Sequence, residues 1–192
     1  MASPRVLGID PGTQLVGWAV AERQADGKLI RIASGVWKLG RAPIAMGVRL
    51  HKLHQHLAET LAEHRPTQLA LEAAFFGKNA HSALKLGEAR GVVLLAAEAF
   101  GISVTEMPPA TVKARVAGTG AATKEQVDAL VRVHFDLPDL ETDSADESDA
   151  LAVAACTLLD PHAQEATSLE TPQSGGKPSR KRGKLPPGAT FQ

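Results

Sequence analysis

The chain has 192 residues, 44% of them hydrophobic and 22% charged, ordinary proportions for a soluble globular protein with one substantial core. Its formal charge is zero, yet residues 171–192 carry five basic residues (Lys177, Arg180, Lys181, Arg182, Lys184) and no acid, so residues 1–170 hold 16 basic against 21 acidic, a net of −5. No apolar run nears the roughly 18 residues of a membrane span, Met1 to Arg5 does not resemble a signal peptide, and the lone Cys156 excludes an intrachain disulfide framework, so a cytoplasmic protein is expected.

Arg5–Asp10 reads as an apolar strand followed by turn chemistry at Pro11-Gly12-Thr13. Gly17–Arg23 is a second strand, Asp26-Gly27 signals a hairpin, and Leu29–Trp37 returns, giving an antiparallel meander. After Pro43, Met46, Leu50, Leu53, Leu57 and Leu61 recur at helical spacing, and that helix stops near Arg65-Pro66. Leu69–Glu72 is a short buried strand. A loop around Phe75–Lys78 leads into a helix from about Ala80 to Phe100, closed by Gly101. Ile102–Met107 is a strand ended by Pro108-Pro109, and a helix over about Ala110–Val116 gives way to Gly118-Thr119-Gly120. Thr123 with Gln126, and Ser144 with Glu147, are capping boxes for a helix to Phe135 and a last helix ending near Asp160-Pro161. The order βββαβαβ followed by helices implies a mixed sheet with helices on its faces: one α/β domain over residues 1–162, then a disordered basic tail over 163–192. That tail either attracts phosphate or merely solubilises.

Four acids sit where packing alone would not put them. Asp10 and Glu72 end apolar strands, and a strand that runs into a carboxylate aims it at something, because burying an unpaired charge is very costly. Ligand sites of open α/β sheets lie at that carboxyl edge. Asp146 and Asp149, three apart, share a helix face with Cβ atoms about 5–6 Å apart. They also lie in the first turn, where acids are common because the helix dipole favours them. If the four converge they cannot all stay ionised and unpaired, and divalent cations relieve the repulsion. Two ions about 4 Å apart would serve in-line phosphoryl displacement. With no Cys/His cluster at zinc spacing, magnesium or manganese is the default. Two such ions also offset most of the −5 of the body, which is otherwise unusual for a protein that grips nucleic acid.

The segments Gly8-Ile-Asp-Pro-Gly-Thr13, Leu71-Glu72-x-x-Phe75, Lys78-Asn79-x-x-Ser82-Ala-Leu-Lys-Leu-Gly87-x-Ala-Arg-Gly91 and Asp146-x-x-Asp149-Ala-Leu-Ala152 resemble the RuvC family of bacterial crossover junction endodeoxyribonucleases, over roughly residues 5–160. The resemblance implies a ribonuclease-H-like fold, a mixed five-stranded sheet flanked by helices. It also implies a homodimer that resolves Holliday junctions in recombination and repair by symmetric, magnesium-dependent nicks, in company with RuvA and RuvB. The family's catalytic, metal-binding acids fall on Asp10, Glu72, Asp146 and Asp149. Its DNA-probing aromatic falls on Phe75, with adjacent Phe76 leaving open which ring meets DNA, and its catalytically important lysines look like Lys113 and Lys124.

Lys78, Lys85 and Arg90 either face phosphates or form a solvated helical face. His51 and His54, one turn apart, suit a surface or an interface, and the Ala- and Leu-rich 80–100 helix suits burial against the sheet, a dimer contact, or both. Two other functions compete. Asp-Pro-Gly-Thr also looks like the phosphate-binding hairpin of actin-like ATPases and kinases, although those need two such domains and 192 residues are too few. The other is an inert junction-binding scaffold, against which the retention of all four acids argues.

Overall fold

A computed structural model describes residues 4–73, 80–137 and 144–160. The proposed tail and the Phe75–Lys78 loop lie outside the described residues. Ten elements follow in order: β1 (Arg5–Asp10), β2 (Leu15–Arg23), β3 (Leu29–Lys38), α1 (Met46–His64), β4 (Gln68–Glu72), α2 (Ala80–Ala99), β5 (Ser103–Met107), α3 (Pro109–Ala117), α4 (Lys124–His134) and α5 (Ala145–Leu158). The strands form one mixed sheet in the order β3-β2-β1-β4-β5, with β1, β2 and β3 antiparallel in turn and β4 and β5 parallel to their neighbours. This is the five-stranded architecture expected from the sequence. β2 starts two residues earlier than its apolar pattern suggests, because Leu15 and Val16 still pair with Lys38 and Trp37.

Period-two alternation sends the strands' side chains to two cores. Leu7, Ile9, Val16, Val20, Leu69 and Leu71 meet Leu53, Leu57 and Leu61 of α1 and Ala89, Val93 and Ala97 of α2. Each of those fully buried leucines contributes roughly 1.5–3 kcal/mol. On the other face Val6, Ala19, Ala21 and Ala70 meet α5, which α3 and α4 cover from outside. Sandwiched in this way, α5 is buried from Ala150 through Leu158 on every side, which explains a helix that is apolar all round.

Two glycines set how closely α5 can lie. A Cβ on Gly8 would stand 2.4 Å from the carbonyl oxygen of Ala150, and one on Gly17 would stand 1.8 Å from that of Asp146. The helix backbone therefore rests directly on β1 and β2, with the residue bearing Asp146 over Gly17. Gly17 is in turn the strand partner of Asp10.

Caps close the helices much as the sequence suggests. Arg65 (φ 47°) ends α1 in the left-handed region and returns its N–H to Leu61, and Thr123 with Gln126 forms a full capping box on α4. The box on α5 is only half made. The Ser144 side chain accepts from the Glu147 N–H, but the Glu147 carboxylate turns to β3, where Oε1 accepts from Ser34 Oγ at 2.6 Å and lies 3.7 Å from Arg31. A tertiary partner has outcompeted the local one, since the buried carboxylate gains a hydroxyl donor and a cation there.

Candidate active site

Asp10 and Glu72 converge because of strand register. β1 and β4 pair in parallel through Leu7↔Leu69 and Ile9↔Leu71, so the next residue on each strand is an acid. Alternation puts Asp10 on the face of Val6 and Gly8, and Glu72 on the face of Ala70, which is the side α5 covers. The first turn of α5 then brings Asp146 and Asp149 to the same sheet edge.

The electrostatics record this crowding. The Asp10 carboxyl is pushed up to about 8, first by burial, then by the charge of Glu72 and a hydrogen bond with it, then by the charges of Asp149 and Asp146. Glu72 is also raised, chiefly by burial and further by Asp149, while the hydrogen bond with Asp10 and the charges of Lys124 and Lys113 act the other way. Asp10 thus lies within the field of each of the other three acids, and like charges at this range oppose its ionisation.

Among the described residues, no group of three or more His, Cys, Asp or Glu side chains is gathered tightly enough to grip an ion as placed. Asp149 is held instead by Lys124, whose Nζ lies 2.5 Å from Oδ2, and this hydrogen bond is the main cause of the raised pKa of Lys124. An incoming cation would compete with that ammonium for Asp149 and with the Asp10 proton for the strand-end pair. The donor set nonetheless fits a hard divalent cation: oxygen-only, over-supplied with negative charge, and partly desolvated.

Of the other expected residues, Lys113 on α3 is half-buried and its charge acts on Glu72, and Lys124 on α4 joins the cluster outright. Lys85 is half-buried on α2. Arg90 is engaged by the protein itself: it donates to the Glu72 carbonyl and pairs with Glu106. Phe75, Phe76 and Lys78 lie outside the described residues. His51 and His54 are exposed on α1, which packs on the sheet face opposite α5.

Three supporting contacts were not read from the sequence. Arg49 of α1 is buried and its Nη1 donates to the Thr13 carbonyl at 3.0 Å, fixing the turn just after Asp10. It lies four residues before Leu53 on the core-facing side of α1, and a cation at such a position was the available signal. Ser148 donates to Asp128 of α4 at 2.6 Å, and Asp128 pairs with Arg132 at 2.9 Å. Lys124 and Asp128, one turn apart, therefore clamp the start of α5 through Asp149 and Ser148.

A family model described as crossover junction endodeoxyribonuclease RuvC matches residues 6–157. The Myxococcus xanthus crossover junction endodeoxyribonuclease RuvC is 44% identical over 154 residues, covering 80% of each chain, and that of Bradyrhizobium diazoefficiens is 39% identical over 86% of this chain and 90% of its own. Among solved structures, Thermus thermophilus RuvC in complex with Holliday junction substrate superposes with a TM-score of 0.78 at 32% identity, over 85% of this chain and 97% of that one. The yeast mitochondrial Holliday junction resolvase Ydc2, at 15% identity and a TM-score of 0.61, shares the fold.

Proposed function

The chain belongs to the RuvC family of crossover junction endodeoxyribonucleases, and from that premise we propose that it resolves four-way DNA junctions by symmetric, metal-dependent phosphodiester hydrolysis. The observation that carries this reading is the convergence of Asp10, Glu72, Asp146 and Asp149 at one sheet edge, with Asp10 pushed up to about 8. Neither an actin-like ATPase nor an inert scaffold matches these relatives.

Asp10, Glu72, Asp146 and Asp149 would hold two magnesium ions, with manganese able to substitute. When bound, the ions supply an activated water and a Lewis acid for the leaving oxygen. The chain's own residues supply the rest. Asp10 and Glu72 would hold the ions from the strand ends, where a bound cation would favour their ionised forms. Lys124, beside Asp149, and Lys113, whose charge acts on Glu72, would offer positive charge to a phosphate that gains negative charge in the transition state. Phe75, Lys78 and Lys85 are proposed to contact the junction, stacking on bases or meeting phosphates. A homodimer would present two such sites to opposed strands, and RuvA and RuvB are the proposed partners in the cytoplasm. Residues 1–162 form the proposed nuclease domain, and the five cations of 163–192 add attraction for phosphate.

Incubated with a synthetic four-way junction and magnesium, the protein should introduce paired nicks that ligase reseals. Intact junctions, across several sequences and in manganese as well, would dismiss the proposal.

Metal should also act on stability. The Asp10 carboxyl is raised in the folded state, so its contribution is full below about pH 4 and is lost as pH rises toward about 8. Metal-free protein should therefore lose thermal stability across that window. Saturating magnesium should raise Tm by about 5 °C or more at pH 8 and by about 2 °C or less at pH 5, where the bound proton competes. Thermal melts with and without EDTA check this, and an equal gain at both pH values would contradict it.

A further inference from the structure

The sequence leaves Arg90 between a phosphate contact and a solvated helical face, and its surroundings favour neither. Its side chain is 12% exposed, and both prongs of its guanidinium are occupied: Nη1 donates to the backbone carbonyl of Glu72 at 2.5 Å, and Nη2 donates to Oε2 of Glu106 at 2.7 Å. The carbonyl it holds lies where the sheet stops. β1 and β4 pair only as far as Ile9↔Leu71, and β4 and β5 pair as far as Glu72↔Met107, after which the Ala73 N–H donates to the Met107 carbonyl at 2.9 Å. Glu72 is therefore the last residue of its strand, held on its β5 side by the ladder and from α2 by Arg90. A carboxylate on a strand end would otherwise fray with that end, because terminal residues lack the bonds of the interior.

We propose that Arg90 is a positioning residue for cation binding: its guanidinium, locked by Glu106, fixes the end of β4 so that the Glu72 carboxylate stays beside Asp10. This rests on reading Glu72 as a cation ligand. The geometry requires arginine, whose planar fork reaches a carbonyl and a carboxylate at once, whereas a lysine ammonium on a flexible stem keeps the charge but loses the two-pronged hold. Glu106 has its own part, since without it the fork can rotate away from Glu72.

Arg90→Lys, Arg90→Gln and Glu106→Gln separate this role from a phosphate contact. Two readouts that need no cleavage are the magnesium concentration giving half of the Tm shift, and the metal-free affinity for a four-way junction over a range of salt. The midpoint for half-maximal nicking is the third. In Arg90→Lys both magnesium midpoints should rise about 10- to 100-fold, the usual cost of removing the partner that orients a ligand. Metal-free junction affinity should stay within about twofold, with an unchanged salt slope. Glu106→Gln should move the midpoints the same way by a smaller factor. The proposal is overturned if Arg90→Lys keeps wild-type midpoints while Arg90→Gln weakens junction binding and lowers the salt slope by about one, the mark of a lost phosphate contact. A lower Tm with unmoved midpoints would likewise overturn it, leaving a purely structural ion pair. If wild-type protein shows magnesium-dependent melting but no nicking, the nuclease reading fails while the Tm midpoints still decide the part played by Arg90.

Discussion

Replacing Asp10 with Asn should lower junction cleavage by about 1,000-fold or more, because on the proposed reading it removes a ligand to an ion that would supply several kcal/mol of transition-state stabilisation. Binding should survive. Asn is nearly isosteric with Asp, so the strand end and its neighbours have no reason to move, and one negative charge fewer faces the phosphates. Stability should change in the unusual direction. Metal-free Asp10→Asn should melt higher than wild type at pH 8, because burial and three neighbouring acids all work against an ionised carboxylate there. It should also lose most of its Tm response to magnesium. Gel-shift affinity in EDTA, single-turnover cleavage and thermal melts form one set. A variant that loses binding and cleavage together and melts lower than wild type would show that Asp10 holds the fold rather than an ion.

Gly17→Val should be the most damaging substitution outside the acids. The Cβ of any residue at 17 would fall 1.8 Å from the carbonyl oxygen of Asp146, and both partners are backbone within regular elements, so no flexible side chain can yield. The start of α5 must lift from β2, at a cost of about 3 kcal/mol or more, which lowers Tm by roughly 6–12 °C in a domain of this size. Asp146 and Asp149 ride on that turn, so the magnesium response of whatever folded protein remains should be weakened as well. Gly47→Ala is the control: its Cβ meets nothing within 4 Å, it lies in a helix, and it should hold or raise stability by up to about 1 kcal/mol. Denaturant melts of the two variants side by side test the contrast, and equal effects would show that close docking of α5 is not what Gly17 provides.

The four acids were unequally legible in the sequence. Asp10 and Glu72 were anomalous through local pattern alone, since each ends an apolar strand, and the parallel register of β1 with β4 makes them neighbours. Asp146 and Asp149 were indistinguishable from ordinary acids of a first helical turn until the resemblance joined them to the other two. Their approach to Asp10 depends on Gly8 and Gly17, and a glycine inside a strand signals a bulge, a bend or a close backbone without saying which. Nor could local spacing assign partners across the fold. Lys124 and Asp149 are 25 residues apart, and the Glu147 carboxylate leaves its own helix cap for Ser34, 113 residues away. Arg90 read as either a phosphate contact or part of a solvated helical face, because its partners are a carbonyl and a carboxylate that only the α2–β4–β5 packing brings within reach.

The site joins the first strand of the domain to its last helix, and that has a consequence for synthesis. A ribosome delivers Asp10 first and Asp149 near the end, so a growing chain can fold its sheet with Asp10 and Glu72 in place while half of the acids are still missing. During that interval the small-residue face around Gly8, Gly17, Ala19 and Ala21 stands bare. When α5 docks there, it covers the exposed face and completes the acid set in the same event. On the proposed reading of the four acids, an unfinished chain would therefore lack the means to cut, and competence would arrive together with the finished fold.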